Sequence, residues 1–238
     1  MFLLLLNTTL FIAAFGQSRL REIFLKTDNL IQGRYFAEMI RLLVDDLEQS
    51  KYQLAEYRVS IYGRSRDEWD KLAKWCINNK LYSDNVRWLI QIPRLYNIYK
   101  EANHVKNNFQ EMLESMVFII TRNFFFNIFF FLKDIFMPLF EVSRDPASHP
   151  ELHAFLKQVV GFDSVDDESK PEPRFHSKLP KPDVWNTLDN PPLAYYNYYF
   201  WANIDVLNRY REAKHFSTSC ISSQNFFFNT FFYRYFCI

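Results

Sequence analysis

Glycine is scarce. The chain has 238 residues but only 4 glycines, against roughly 17 expected from average usage. Cysteine is nearly as sparse. Cys76, Cys220 and Cys237 share neither metal-like nor framework spacing. That excludes a disulfide scaffold and fits a reducing compartment. Charge of one sign is missing too. The formal net charge is +1, so no electrostatic footprint exists for nucleic acid or acidic lipid. What remains is apolar. Hydrophobic residues make up 49% of the chain, enough for one domain with a sizeable core.

The 26 phenylalanines are unevenly spread. They gather in two runs, Asn123 to Phe131 and Asn225 to Phe232. Phe triplets follow neither the helix nor the strand period, so a packed core does not call for them. Met1 to Phe15 is a third aberrant stretch. Its apolar run resembles a secretory signal, but it lacks a basic start, and it is shorter than the roughly 20 apolar residues a bilayer span takes. Ser115 to Asp134 approaches that length, but Arg122 interrupts it. A central Arg costs about 2.5 to 3.5 kcal/mol on insertion scales.

Between these stretches the pattern is that of an ordinary folded domain. Tyr35, Phe36, Met39, Ile40, Leu43, Val44 and Leu47 predict an amphipathic helix from Gly33 to Gln49. Tyr57 to Tyr62 reads as a strand stopped by Gly63. Ser65-Arg-Asp-Glu68 reads as a capping box, with a helix starting at Ser65. Val86 to Ile92 reads as a second strand ended by Pro93, and Asn107 to Glu114 as a helix. Asp145 to Pro150 turns into a helix that ends near Gln158. Val159 to Val165 is a third strand, Lys170 to Pro192 a Pro-rich loop, and Tyr195 to Ala213 a long aromatic helix. Strands alternating with helices imply βαβ units and a parallel sheet.

Several stretches carry a family resemblance: SRLREIFLKTDN (18–29), SIYGRSRDEWDKLAKW (60–75), NVRWLIQIPRLY (85–96), NFQEMLE (108–114), FMPLFE (136–141) and GFDSVDDESKPE (161–172). They resemble, in order, the AMP deaminases, members of the adenosine/AMP deaminase family of metal-dependent hydrolases. The resemblance covers about four fifths of the chain. It implies an α/β fold, a partial (β/α)8 TIM-type barrel of about three strands that does not close. Three segments depart from the family pattern: 1–17, 115–134 and 219–238. They divide the chain into an aberrant N-terminal stretch, an interrupted barrel fragment over 18–218 and an aberrant tail. Translated non-coding sequence, such as retained introns, accounts for all three, because T-rich DNA encodes Phe and Leu.

The resemblance implies hydrolytic deamination of AMP to IMP and ammonia, with zinc activating the attacking water. The family's ligands are a His-x-His pair, a further His and an Asp, with a Glu moving protons. The chain contains no His-x-His and no Pro-His-Cys-Gly-Glu motif. Metal-ligating and catalytic residues are therefore expected to be absent, and the chain by itself inactive. AMP is the expected partner, in the cytosol, with assembly onto full-length subunits of the same family. No nucleic-acid or membrane partner is expected. The alternative is a non-catalytic, membrane-associated or interaction protein that uses the apolar segments.

Asp166, Asp167 and Glu168 are the candidate substrate-binding residues. They follow the third strand, where the loops of a barrel build its active site. A solvated acidic turn is the competing reading. Tyr62, Arg64, Gln91 and Arg94 also stand at strand ends and read as supporting residues. His149 and His153 lie four apart, a spacing known from metal sites, but no third ligand stands near them in sequence. They read as structural, as do His104, His176 and His215.

Overall fold

The computed structural model describes residues 23–50, 52–102, 108, 109, 112, 133–166, 179–218 and 220–222. The N-terminal stretch, nearly all of 115–134, the Phe-rich tail, Asp167 and Glu168 lie outside them. The chain forms two compact units, Met1–Glu56 with Asp70–Arg87, and Tyr57–Trp69 with Trp88–Ile238. Among the described residues no helix is long and apolar enough to cross a membrane.

The first unit is built on helix α1, Arg34–Gln49. Gly33 precedes it with φ +65°, a left-handed conformation that costs glycine little. A Cβ there would also lie 2.5 Å from Trp75 Nε1 and 2.8 Å from Thr27 O. Asn29 Oδ1 accepts from Gly33 N at 2.8 Å and from Ile31 N at 3.2 Å, closing the turn into the helix. The apolar stripe is narrower than its spacing predicts. Ala37, Ile40 and Val44 are buried, whereas Tyr35 and Met39 are exposed. Helix α2, Glu68–Asn78, lends this unit Trp75, which stacks on Phe36 at 5.4 Å. At the other end of α1, Asn85 Nδ2 donates to Leu47 O at 2.9 Å and holds the last turn.

The second unit carries a sheet in the order β1-β2-β3-β4. Its strands are β1 Ala55–Ser60, β2 Val86–Pro93, β3 Val159–Val165 and β4 Cys220–Ser222. β2 runs parallel to β3, and β3 parallel to β4. Ala55 N donates to Asn85 O and Ile61 N to Gln91 O. The partner numbers rise together, so β1 is parallel to β2 as well. The fold is thus a mixed α/β arrangement with an open parallel sheet, of the partial TIM type. The three expected strands are β1, β2 and β3, and a three-residue fourth, β4, extends the sheet at its edge. β4 falls within the segment 219–238 that reads as aberrant, where neither sequence alternation nor composition announces a strand.

The helices of this unit are α3 Tyr96–Glu101, α4 Lys133–Arg144, α5 Pro150–Leu156 and α6 Leu193–Glu212. One ring organises them. Phe162 of β3 meets Phe136 of α4 at 6.1 Å, Phe200 of α6 at 6.4 Å and Trp69 at 6.3 Å between ring centroids. Trp69 Nε1 donates to Ile135 O at 2.8 Å, so the indole is buried without an orphaned donor. The far end of α6 is tied by Arg211. Its Nη1 donates to Ser143 Oγ at 3.0 Å and its Nε to Ser217 O at 2.7 Å.

Truncating Phe162 to Ala is expected to cost about 3–5 kcal/mol, since the cavity would open at the meeting point of three buried rings. Urea unfolding followed by far-ultraviolet circular dichroism reads it. A loss under about 1 kcal/mol would show that the cluster does not organise this unit.

Candidate functional site

The C-terminal ends of β1, β2 and β3 come together within the second unit. Parallel strands bring their C-terminal ends to one rim, and the loops that leave them carry the polar groups.

The loop after β1 is held by one carboxylate. Glu68 Oε1 accepts from Tyr62 N at 2.8 Å, and Oε2 accepts from Gly63 N at 2.8 Å and Arg64 N at 3.0 Å. This corrects the expected capping box. The helix starts at Glu68 and not at Ser65. The glutamate reaches back to the strand end, while the Ser65 hydroxyl donates to Asp67. Three charge-assisted bonds at a strand end outcompete one at the helix start. Gly63 has φ +75°, and a Cβ there would sit 2.8 Å from Ile135 Cγ1. The Tyr99 hydroxyl donates to Tyr62 O. Burial, with Glu68 nearby, pushes that phenol up to about 12. Arg64 lies over the Tyr62 ring at 4.5 Å and is exposed. The loop thus presents one guanidinium stacked on one aromatic ring.

The ends of β2 and β3 meet in an ion pair between Arg94 and Asp166, whose side chains are 9% and 17% exposed. Of the three acidic candidates, Asp166 is thus engaged by the protein, while Asp167 and Glu168 lie outside the described residues. A Pro-rich segment, Leu179 to Pro192, joins the same rim. Arg94 Nη1 donates to Pro191 O at 2.6 Å, and Asn97 N donates to Asn190 Oδ1 at 2.9 Å. No local period in the sequence orders this Pro-rich segment. Its order comes from bonds to partners roughly ninety positions away in sequence, which no local pattern reveals.

Below the rim lies a polar layer that the sequence reading saw only in part. Gln91 is the register partner of Asp163, and Ser60 Oγ donates to Gln91 Oε1 at 3.5 Å. Arg58 Nε stands 3.5 Å from Asp163 Oδ2. Phe162 faces the helices, so period-two alternation turns Asp163 to the opposite face. The Asp163 side chain is fully buried and neither oxygen completes a hydrogen bond. Burial pushes its carboxyl up, and the opposing pull of Arg58 and Gln91 does not cancel that. Asp163 and Arg58 were missed as candidates. An aspartate in the middle of an otherwise apolar strand was the available signal.

The histidines do not converge. His149 Nε2 lies 3.8 Å from Glu141 Oε2, and Glu141 also accepts from Arg66. The His153 ring packs edge-on against Phe216 at 5.5 Å. Burial lowers its pKa, helped by Lys157 and Arg211. His104 and His176 lie outside the described residues. Among the described residues no three His, Cys, Asp or Glu side chains gather in a way that would hold a metal ion.

The raised carboxyl of Asp163 has a consequence for stability. The native state holds the proton more tightly than the unfolded chain does. Its contribution is therefore fully present below the ordinary carboxylate range and is lost as pH rises through the raised native value. Asp163→Asn has no charge to bury and leaves Arg58 partly hydrated, at 37% exposure. It is expected to match or exceed the parent in stability at about pH 7, with the advantage shrinking towards about pH 4. Paired urea melts across that range read it. A variant less stable at neutral pH, with the gap closing in acid, would reverse the sign.

Comparison with known proteins adds the family. The sequence profile of AMP deaminase matches residues 10–224. The chain is 55% identical over 203 residues to a probable AMP deaminase of Oryza sativa subsp. japonica, covering 85% of this chain and 22% of that protein. It is 53% identical over 203 residues to AMP deaminase of Saccharomyces cerevisiae, covering 85% and 23%. It is 48% identical over 204 residues to AMP deaminase 3 of Homo sapiens, covering 85% and 24%. The chain thus spans about a quarter of the length of these relatives. With the family profile matched along nearly its whole length, this chain belongs to the AMP deaminase family.

Proposed function

We propose that the chain is part of an enzyme that hydrolyses AMP to IMP and ammonia in the cytosol. The observation that carries this reading is the identity of about one half to the yeast, plant and human deaminases over 85% of the chain. Water adds at C6 of the adenine ring, and the C6–N bond breaks as ammonia leaves. These residues supply one wall of the nucleotide site. The rim loop Tyr62–Arg64 lies along it, and Asp167 and Glu168, which follow β3 in sequence, are assigned to binding the nucleotide.

Zinc is the family's metal, and the described residues do not fit it. The described histidines are spread over separate contacts and no third donor joins any two of them. By themselves these 238 residues do not turn AMP over, because the chain has no His-x-His pair. Activity requires further segments of the family's chain, supplied in line or by full-length subunits to which this chain assembles. The stretches 1–17, 115–134 and the Phe-rich part of 219–238 are translated non-coding sequence. A transcript joining Glu114 directly to the Ile135 region supports that, and peptides covering Phe124 to Phe131 overturn it.

Two assays test the functional reading. The purified chain with AMP and added zinc is expected to show no absorbance change from adenine to hypoxanthine, and turnover would overturn the claim of inactivity. A chimera of the Saccharomyces cerevisiae enzyme, carrying residues 18–114 joined to 135–218 in place of its own segment, is expected to keep measurable deamination of AMP. A chimera that folds and shows none would reject the assignment of this wall to AMP.

A further inference from the structure

The parallel ladder between β2 and β3 continues past its last register pair. Pro93 is partnered with Val165, and Arg94 N then donates to Val165 O at 3.1 Å. Arg94 and Asp166 are therefore set side by side at the ends of neighbouring strands. Their side chains pair through Nη2 and Oδ2. The other terminal nitrogen, Nη1, donates to Pro191 O at 2.6 Å. A guanidinium is a planar fork with donors pointing in fixed, different directions. Here one fork engages a strand-end carboxylate and a carbonyl far away in the chain at the same time.

The segment that contributes Pro191 is fastened along its length to the chain that follows β2. Asn190 Oδ1 accepts from Asn97 N at 2.9 Å, and Trp185 O accepts from Phe109 N at 2.8 Å and from the Tyr96 hydroxyl at 3.2 Å. Asn108 Nδ2 donates to Asp183 O at 2.8 Å, and the Trp185 ring stacks on Tyr195 at 6.2 Å. Phe109 and Tyr96 are buried, whereas the Asn108 bond is exposed; each such bond is worth about 1 kcal/mol. The Arg94 side chain, 9% exposed, reaches both the segment and the end of β3.

We propose that Arg94 is a positioning residue that latches the strap Leu179–Pro192 onto the C-terminal end of β3, and that Asp166 serves to hold Arg94 and not to touch the nucleotide. Only the second half rests on the AMP reading. The latch keeps the strap closed over the rim whether or not a nucleotide is present. Removing it frees the strap without unfolding the sheet.

Hydrogen–deuterium exchange on the full chain, with no nucleotide added, tests the latch. The amides of Val184 and Trp185, which donate to Lys181 O at 3.0 and 3.1 Å, report on the strap. Those of Ile90 and Phe162 report on the sheet. In Arg94→Ala the strap amides are expected to exchange at least about tenfold faster while the sheet amides keep their protection. Arg94→Lys restores the charge but is a point donor that does not span both partners. It is expected to protect the sheet as the parent does and leave the strap open. Strap protection unchanged in Arg94→Ala, or restored to the parent level by Lys, would overturn the latch. If Arg94→Ala loses the protection of the sheet, the Lys variant decides alone. For the second half, Asp166→Asn in the chimera is expected to keep its KM for AMP within about threefold, because Asn still accepts from Arg94. A rise of tenfold or more at unchanged kcat would return Asp166 to the substrate. A failed AMP reading shows as an inactive parent chimera, which leaves the exchange pattern untouched.

Discussion

The register of β2 against β3 is the constraint from which the rest of the second unit follows. It sets Gln91 beside Asp163 and Pro93 beside Val165, and one more backbone bond carries it to Arg94 and Asp166. A slip of one residue would reverse every side chain between the two faces. Phe162 would leave its three aromatic neighbours, and Asp163 would enter their place. The register is therefore strongly specified by burial, and the polar pairs at the rim inherit their positions from it.

The two faces of β3 have opposite energetics. On the helix side, burial of Phe162 against Trp69, Phe136 and Phe200 stabilises the unit. On the other side, Asp163 is buried, and Arg58 at 3.5 Å together with Gln91 offsets only part of its desolvation. A burial of this kind adds little or no stability. Its presence one residue from the aromatic cluster places a polar layer where a (β/α) barrel would have its interior. Above that layer, Glu68 gathers three backbone amides onto a single side chain, and Arg94 joins the Asp166 carboxylate to the Pro191 carbonyl. The rim loops thus owe their shape to charged side chains that are themselves fixed by the strands.

The chain matches about a quarter of its relatives' length, and the family profile covers 10–224. Within the described residues, the side chains that meet at the rim hold one another and the loop backbone. None of them forms a cluster able to hold a metal.

From sequence alone, period and punctuation determined β3 to the residue, β2 to within one residue and the aromatic helix to within two, because long runs of buried strand and helix leave strong apolar patterns. The quoted motifs also fixed the family. Only the tertiary structure decided what the polar residues do. Glu68 reads locally as a helix cap, yet it holds a strand end, since three amides of the preceding loop offer more than one at the helix start. Strand β4 exists because β3 offers a parallel edge, and its three residues carry no pattern of their own. Asp166 reads as a candidate for substrate, and its pairing with Arg94 depends on an alignment of strand ends some seventy residues apart. The strap is ordered by bonds to partners still further away, and no sequence window contains both ends of such a bond.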